Sequence, residues 1–155
     1  ISCFIYLEFA LNLLKGLEKF EALNQTQITI NQFFTEFDFR LKNELQLFHR
    51  LLESPDKNAD TKPIFKCDES EIQSSGYVLH TLEASFWSFL TTNTYSEAVL
   101  KAVNLGSDTD TTGAVTGGLA GLYYGIENIP EKWLNQIARK DDIVQLSNRL
   151  HSKYF

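Results

Sequence analysis

Two carboxylates stand two residues apart at Asp108 and Asp110, and the hydroxyl of Thr111 follows directly. They lie in NLGSDTDTTGAVTGG, residues 104–118, which also holds four threonines, one serine, four glycines and no basic residue. Like charges this close repel, and clustered glycines cost backbone entropy. Oxygen donors of these types suit a hard divalent cation such as Mg²⁺ or Ca²⁺, with Asp108 and Asp110 as charged ligands and Thr111 as a neutral one. A cation would relieve the repulsion, and the small residues after it would let it and its ligand sit close to the backbone. The other reading is helix capping, in which each acid near a helix N-terminus contributes about 0.3–1 kcal/mol. One cap needs neither a second acid nor a run of glycines, so the cation accounts for more of the stretch.

Such a motif must be held by helices. Gly113, Gly117, Gly121 and Gly125 are four apart, so on a helix starting near Asp110 they share a face that admits a close neighbour. Thr94 followed by Glu97 matches a capping box and predicts a helix from Tyr95 through Val103. Before it, Val78, Leu79, Leu82, Phe86, Phe89 and Leu90 predict an apolar helix opened by Gly76. Pro130 suits the first turn of a helix containing Trp133, Leu134 and Ile137, and Asp141 or Asp142 starts a last helix with Ile143, Leu146 and Leu150 on one face. In the first third, Phe4, Leu7, Leu11, Leu14 and Leu17 predict one helical face. Residues 24–32 read as a loop or weak helix start, and Phe33, Phe37, Leu41, Leu45, Phe48 and Leu52 predict a second helix. Residues 53–75, rich in Pro, Asp, Lys and Ser, read as a long loop. There are no alternating strands and no internal repeat; the expected fold is all-α, one domain over residues 1–155.

The bulk properties narrow the function. The 155 residues are 43% hydrophobic and 22% charged, which describes a globular chain with a sizeable core. A net charge of −6 argues against general nucleic-acid binding, which needs clustered Lys and Arg. Cys3 and Cys67 have neither C-x-x-C spacing nor a nearby His, so they read as reduced thiols of a cytoplasmic protein. The opening ISCFIYLEFALNLL carries Glu8 and lacks a basic region and a cleavage site, so it is not read as a signal peptide. With no Met and a start at Ile1, the chain reads as a fragment, a processed product or a partial sequence.

The run from Ser75 to Leu134 has a Gly-Tyr before an apolar helix, then EAVLKAVNLG, then D-x-D-T and a small-residue helix. It resembles the C-terminal part of the ADP-ribosylglycohydrolase family, and residues 1–52 resemble the helices before it more loosely. The resemblance implies orthogonally packed helices around a two-metal centre, usually magnesium, with Asp108, Asp110 and Thr111 supplying half of the ligands. It implies that the Ser75–Gly76–Tyr77 turn contacts ADP-ribose, although Tyr77 reads equally well as an aromatic staple over the helix start. Gly106 and Ser107 would line the same cleft. The family's other metal ligands, of Thr-Asp-Asp type, and its acid/base carboxylate lie upstream of this signature and have no counterpart here. No catalytic residue is therefore assigned, and the chain looks like the second half of the enzyme.

The expected activity is magnesium-dependent hydrolysis of the bond between ADP-ribose and a modified protein side chain. The alternatives are a non-catalytic member that keeps the fold, or a related hydrolase with another substrate. Expected partners are an ADP-ribosylated protein or small molecule and, for uncovered apolar surfaces, another copy of the chain or a separate N-terminal half. No nucleic acid and no membrane is expected. His80 reads as the donor or acceptor of a structural hydrogen bond, His49 and His151 as surface residues, and Glu83 as part of a polar face. Ser85 and Ser88 lack a nucleophile-elbow context.

Overall fold

The computed structural model describes residues 1–36, 41–53 and 62–154. Among them all regular structure is helical: α1 (Ser2–Leu14), α2 (Lys19–Glu36), α3 (Lys42–Leu45), α4 (His49–Leu52), α5 (Val78–Leu90), α6 (Tyr95–Asn104), α7 (Thr109–Tyr124), α8 (Glu131–Leu134) and α9 (Lys140–Tyr154). Short 3₁₀ turns at Gln46–Phe48, Ile64–Lys66, Glu69–Glu71 and Ile126–Asn128 connect them.

The centre of the molecule is the α5–α6–α7 unit. Thr94 caps α6 as its spacing predicts, its hydroxyl accepting the Glu97 N–H at 3.1 Å. The return arm goes one residue further back than in a standard box, from Glu97 Oε2 to the Asn93 N–H at 3.0 Å. The glycines of α7 then let α6 lie close. A Cβ built on Gly113 would stand 2.8 Å from Val103 Cγ1, and one on Gly117 3.4 Å from the Tyr95 hydroxyl. The N-terminal end of α7 thus meets the C-terminal end of α6, so the two run antiparallel. Gly125 departs from the expected face: it ends α7 with φ +80°, a left-handed conformation that glycine adopts without a Cβ clash. Helix α5 lies parallel to α7. Their N-terminal ends are joined through Ser74, whose carbonyl accepts the Asp108 N–H at 3.0 Å. Their C-terminal ends meet where Phe89 packs against Tyr123 and Tyr124.

Helices α1 and α2 cover this unit. Phe9 of α1 is fully buried against Phe86 and Phe89, with ring centroids 4.6 and 5.9 Å away. The face α1 buries is not the one its leucine spacing predicts: Ile5, Phe9, Ala10, Asn12 and Leu13 are buried, while Leu7, Leu11 and Leu14 point outward. Residues 24–32, read as a loop or weak helix start, are neither a break nor a beginning: α2 starts at Lys19 and passes straight through them. Their polar side chains serve the packing instead of breaking it. Thr26 returns its hydroxyl to the Ala22 carbonyl and accepts Asn12 Nδ2, and Gln27 Nε2 donates to the Leu51 carbonyl. The helix predicted through residues 33–52 is not continuous. Helix α2 ends at Glu36, Phe37 falls outside the described residues, and α3, a 3₁₀ turn and α4 come next. Of the loop predicted over residues 53–75, residues 54–61 fall outside the described part, and 62–75 hold two 3₁₀ turns.

Lys19 pins α2 to the far end of the unit. Its ammonium donates to the Phe89 and Thr92 carbonyls and to the Tyr124 hydroxyl, at 2.9, 2.5 and 2.6 Å, and lies 4.5 Å from the Phe89 ring centre. Toward the C-terminus, α8 stops at Leu134, so Ile137 is not in it. Helix α9 starts where the acids predict, yet buries no residue: Ile143, Leu146 and Leu150 are all exposed.

Candidate functional site

Two segments converge where α5 and α7 begin. One is the turn Ser74–Tyr77, the other the loop Gly106–Asp108. Gly106 and Ser107 both have positive φ, +80° and +57°, which turns the chain sharply from α6 into α7. The Ser74 hydroxyl fixes this turn by donating to the Gly106 carbonyl at 2.9 Å, and the Ser74 carbonyl takes the Asp108 N–H. Gly76 then lies against Asp108: a Cβ there would be 3.2 Å from Oδ2. The sequence-predicted metal residues and ligand turn are therefore brought together.

Asp108 occupies the N-cap position of α7, but its side chain accepts no backbone N–H there. The hydrogen-bonding half of the capping reading is therefore absent at Asp108, while the acid keeps its place at the helix start. Its Oδ1 accepts the Thr111 hydroxyl at 2.8 Å instead. The Asp110 carboxyl is held below the usual carboxylate range, first by a hydrogen bond with the Asp108 carboxyl and then by the N–H groups of Thr111 and Asp110 itself. Asp108 and Thr111 are joined by the hydroxyl bond, and Asp110 and Thr111 face solvent. Because α5 and α7 are parallel, the positive ends of two helix dipoles point toward these acids. Among the described residues no group of three or more His, Cys, Asp or Glu is placed to hold a metal ion. The set here is two carboxylates and a hydroxyl.

Beside it, α1, α5 and α7 leave an open groove of about 640 Å³, lined by Tyr6, Leu7, Val78, Leu82, Thr111 and Val115 among others. The groove is mostly apolar and reaches Thr111 and Gly76 at one end. Its floor is held by the Tyr6 hydroxyl, which donates to the Val115 carbonyl at 3.0 Å.

The remaining candidates have structural surroundings. His80 Nδ1 lies 2.8 Å from the Ser75 hydroxyl, so its structural hydrogen bond is to a residue of the ligand turn. Glu83 is buried, not on a polar face. Burial pushes its carboxyl up, opposed by Arg50, whose Nη1 is 3.6 Å away. Ser85 is buried and donates to the Thr112 carbonyl at 3.4 Å, while the buried Ser88 hydroxyl has no hydrogen-bond partner. His49 and His151 are exposed, as expected. Sequence reasoning missed Ser74, which ties both loops together. A serine before Ser-Gly-Tyr carries no signal of that role, since its partners are 32 or more residues away.

The family model for ADP-ribosylglycohydrolase matches residues 1–155. The chain belongs to the ADP-ribosylglycohydrolase family. Within it, the chain is 45% identical over 80 residues to the ADP-ribosylarginine hydrolase Tri1 of Serratia proteamaculans, a match covering 52% of this chain and 22% of that protein. It is 40% identical over 68 residues to the ADP-ribosyl-(dinitrogen reductase) glycohydrolase of Rhodospirillum rubrum, covering 44% of this chain and 23% of the relative. The human ADP-ribosylhydrolase ARH3 is 32% identical over 59 residues, 38% of this chain and 16% of that protein. The matched stretches are thus under a quarter of each relative's length. No helix among the described residues is long and apolar enough to cross a membrane.

Proposed function

We propose that the chain contributes the second half of the metal and ligand site of a magnesium-dependent ADP-ribosylglycohydrolase, which releases ADP-ribose from a modified side chain, arginine foremost. The observation that carries this reading is Asp108: an acid at a helix N-cap whose side chain makes no capping bond and instead accepts the hydroxyl of Thr111, with the exposed carboxyl of Asp110 two residues on. A divalent cation between the two acids would offset the repulsion of like charges this close. At Gly76, where a Cβ would stand 3.2 Å from Asp108 Oδ2, the absence of a side chain keeps the turn's backbone close to the acid. The names of the matched relatives support the ADP-ribose substrate.

In this reading Asp108, Asp110 and Thr111 would hold the magnesium, two ions in the complete site. Bound there, magnesium supplies charge stabilisation and orientation of the ribose hydroxyls. The chain's own groups do the rest. The Ser75–Tyr77 turn and Gly106–Ser107 bound the ligand, and the paired N-termini of α5 and α7 favour its anionic diphosphate. The carboxylate that activates water belongs to the part of the family fold upstream of this signature. That part would also cover the α1–α5–α7 groove and the exposed leucines of α1 and α9; a second copy is the alternative covering. Two free cysteines fit a reducing compartment, the cytoplasm.

The test is ADP-ribose release from a modified protein by the intact protein and by Asp108→Ala and Asp110→Ala. Each substitution should lower the rate about 100-fold or more, the scale of removing a metal ligand worth several kcal/mol. The stabilisation that magnesium gives in thermal melts should be lost as well. Full magnesium-dependent activity in Asp110→Ala would reject the metal assignment. Unchanged activity together with a stability loss of about 0.5–2 kcal/mol would restore capping. A protein that melts normally and binds ADP-ribose but never releases it from an acceptor would favour the non-catalytic member.

A further inference from the structure

Helix α5 begins without the usual device. Its N-cap position is Tyr77, which cannot offer a short side-chain oxygen, and no side-chain cap bond forms there. The turn before it nevertheless has a defined place, with Gly76 against Asp108. We propose that His80 is the positioning residue of this turn: reaching back from the third position of α5, it holds Ser75 and Tyr77 and thereby sets Gly76 against Asp108. That the turn binds ADP-ribose rests on the proposed function; that His80 positions it rests on geometry alone.

Three contacts carry the inference. The Ser75 hydroxyl lies 2.8 Å from His80 Nδ1, and the same oxygen accepts the Tyr77 N–H at 3.3 Å. The arrangement that uses every atom has Ser75 donating its one hydrogen to Nδ1 while accepting from Tyr77. The Tyr77 and His80 rings meet edge to face, centroids 5.1 Å apart at 87°. Together these form a relayed capping box. In the ordinary box the third helical residue reaches back to the N-cap N–H directly. Here His80 reaches the N–H of the N-cap residue through Ser75. The Tyr77 ring, 51% exposed, is thereby held with one side against His80 and the rest open to solvent. Next along the chain, Thr81 donates to the Ser75 carbonyl at 3.4 Å, and on the other side the Ser74 carbonyl takes the Asp108 N–H. A loose Ser75 would free Gly76 and Tyr77 while the Ser74 bonds to Gly106 and Asp108 stay in place.

The experiment compares His80→Ala, His80→Asn, Ser75→Ala and the double variant His80→Ala/Ser75→Ala in the intact protein. Two measurements are made: amide hydrogen exchange at Gly76, Tyr77 and Asp108, and kcat and KM for ADP-ribose release. His80→Ala and Ser75→Ala should each speed Tyr77 exchange about tenfold or more and raise KM several-fold, with kcat within about twofold, since the turn supplies no metal ligand. The double variant should be no worse than either single one, because both break the same relay. His80→Asn, whose amide reaches the place of Nδ1, should restore both values to near those of the parent. Unchanged exchange at Tyr77 in His80→Ala, an additive double variant, or an unchanged KM in an active protein would each overturn the proposal. So would a failure of His80→Asn to rescue. Altered exchange in a protein that neither binds nor releases ADP-ribose would uphold the positioning role and reject the substrate.

Discussion

In α7 the buried residues are Thr112, Thr116, Leu119 and Ala120, flanked by glycines, whereas α9 carries Ile143, Leu146 and Leu150 on one face and buries none of them. By composition α9 is the better amphipathic helix, yet α7 is the core. The difference lies in what stands opposite. Small residues let α6 approach α7 within side-chain contact of its backbone, so burial comes from neighbours supplied by α1, α5 and α6. A leucine stripe gains nothing until another surface covers it. Helix α1 shows both cases at once: Phe9 is fully buried on one side while Leu7 and Leu14 are 64% exposed on the other.

The largest expected effect breaks the covered side. Phe86→Ala removes a ring with no exposure that packs on Phe9, and should cost about 3–5 kcal/mol in denaturant unfolding. Next, Gly113→Val should destabilise by about 1–3 kcal/mol, because its Cβ would meet Val103 Cγ1 at 2.8 Å. Gly117→Ala, 3.4 Å from a tyrosine hydroxyl, should instead fall near neutral. If both glycines tolerate valine, close approach does not explain α7. Thr94→Ala should cost about 1 kcal/mol, the worth of a cap, without touching the seam itself.

A smaller effect should appear with pH at the far end of the unit. Burial lowers the Lys19 ammonium from 10.5 to about 8 in the folded protein. Between those values the unfolded chain holds a proton that the folded one has released, so stability should rise with pH across that window. Tyr124 works the other way: burial raises it from 10.0 to about 12, so stability should fall as pH climbs from 10 toward 12. Thermal melts from pH 7 to 11 should therefore pass through a maximum near 10, and Lys19→Met should remove the rising limb. The smallest effect tests the uncovered side. Leu146→Ala should change stability by no more than about 0.5 kcal/mol while α9 remains exposed. A loss of several times that, in the intact protein, would mean that a further surface covers α9 there.

Residues 75–134 were legible because their signals are local. A cap at Thr94, a glycine at every fourth position and an apolar run after Gly76 each specify helix and phase within a few residues, and the acids fall at a helix start for the same reason. The first third was less so. In α2 the residues that looked like a break, Thr26 and Gln27, bond to Ala22, Asn12 and Leu51, and only the last two of these identify a buried site. In α1 two apolar stripes competed, and which was buried depended on Phe86 and Phe89, far along the chain. The candidate site was half visible. Asp108, Asp110 and Thr111 stand out by type and spacing and the Ser75–Tyr77 turn only by the family resemblance, whereas Ser74 and the partner of His80 become visible only when the segments around them are brought side by side.

The tie between Ser74 and Gly106 spans 32 residues and is closed by a single hydroxyl. It makes α6 a spacer of fixed length. Adding one residue to that helix would advance its C-terminal end by about 1.5 Å and turn it by about 100°, carrying Asp108 away from Gly76 even if every helix still formed. Insertions and deletions between these two points should therefore be selected against far more strongly than substitutions, and natural length variation should collect outside them.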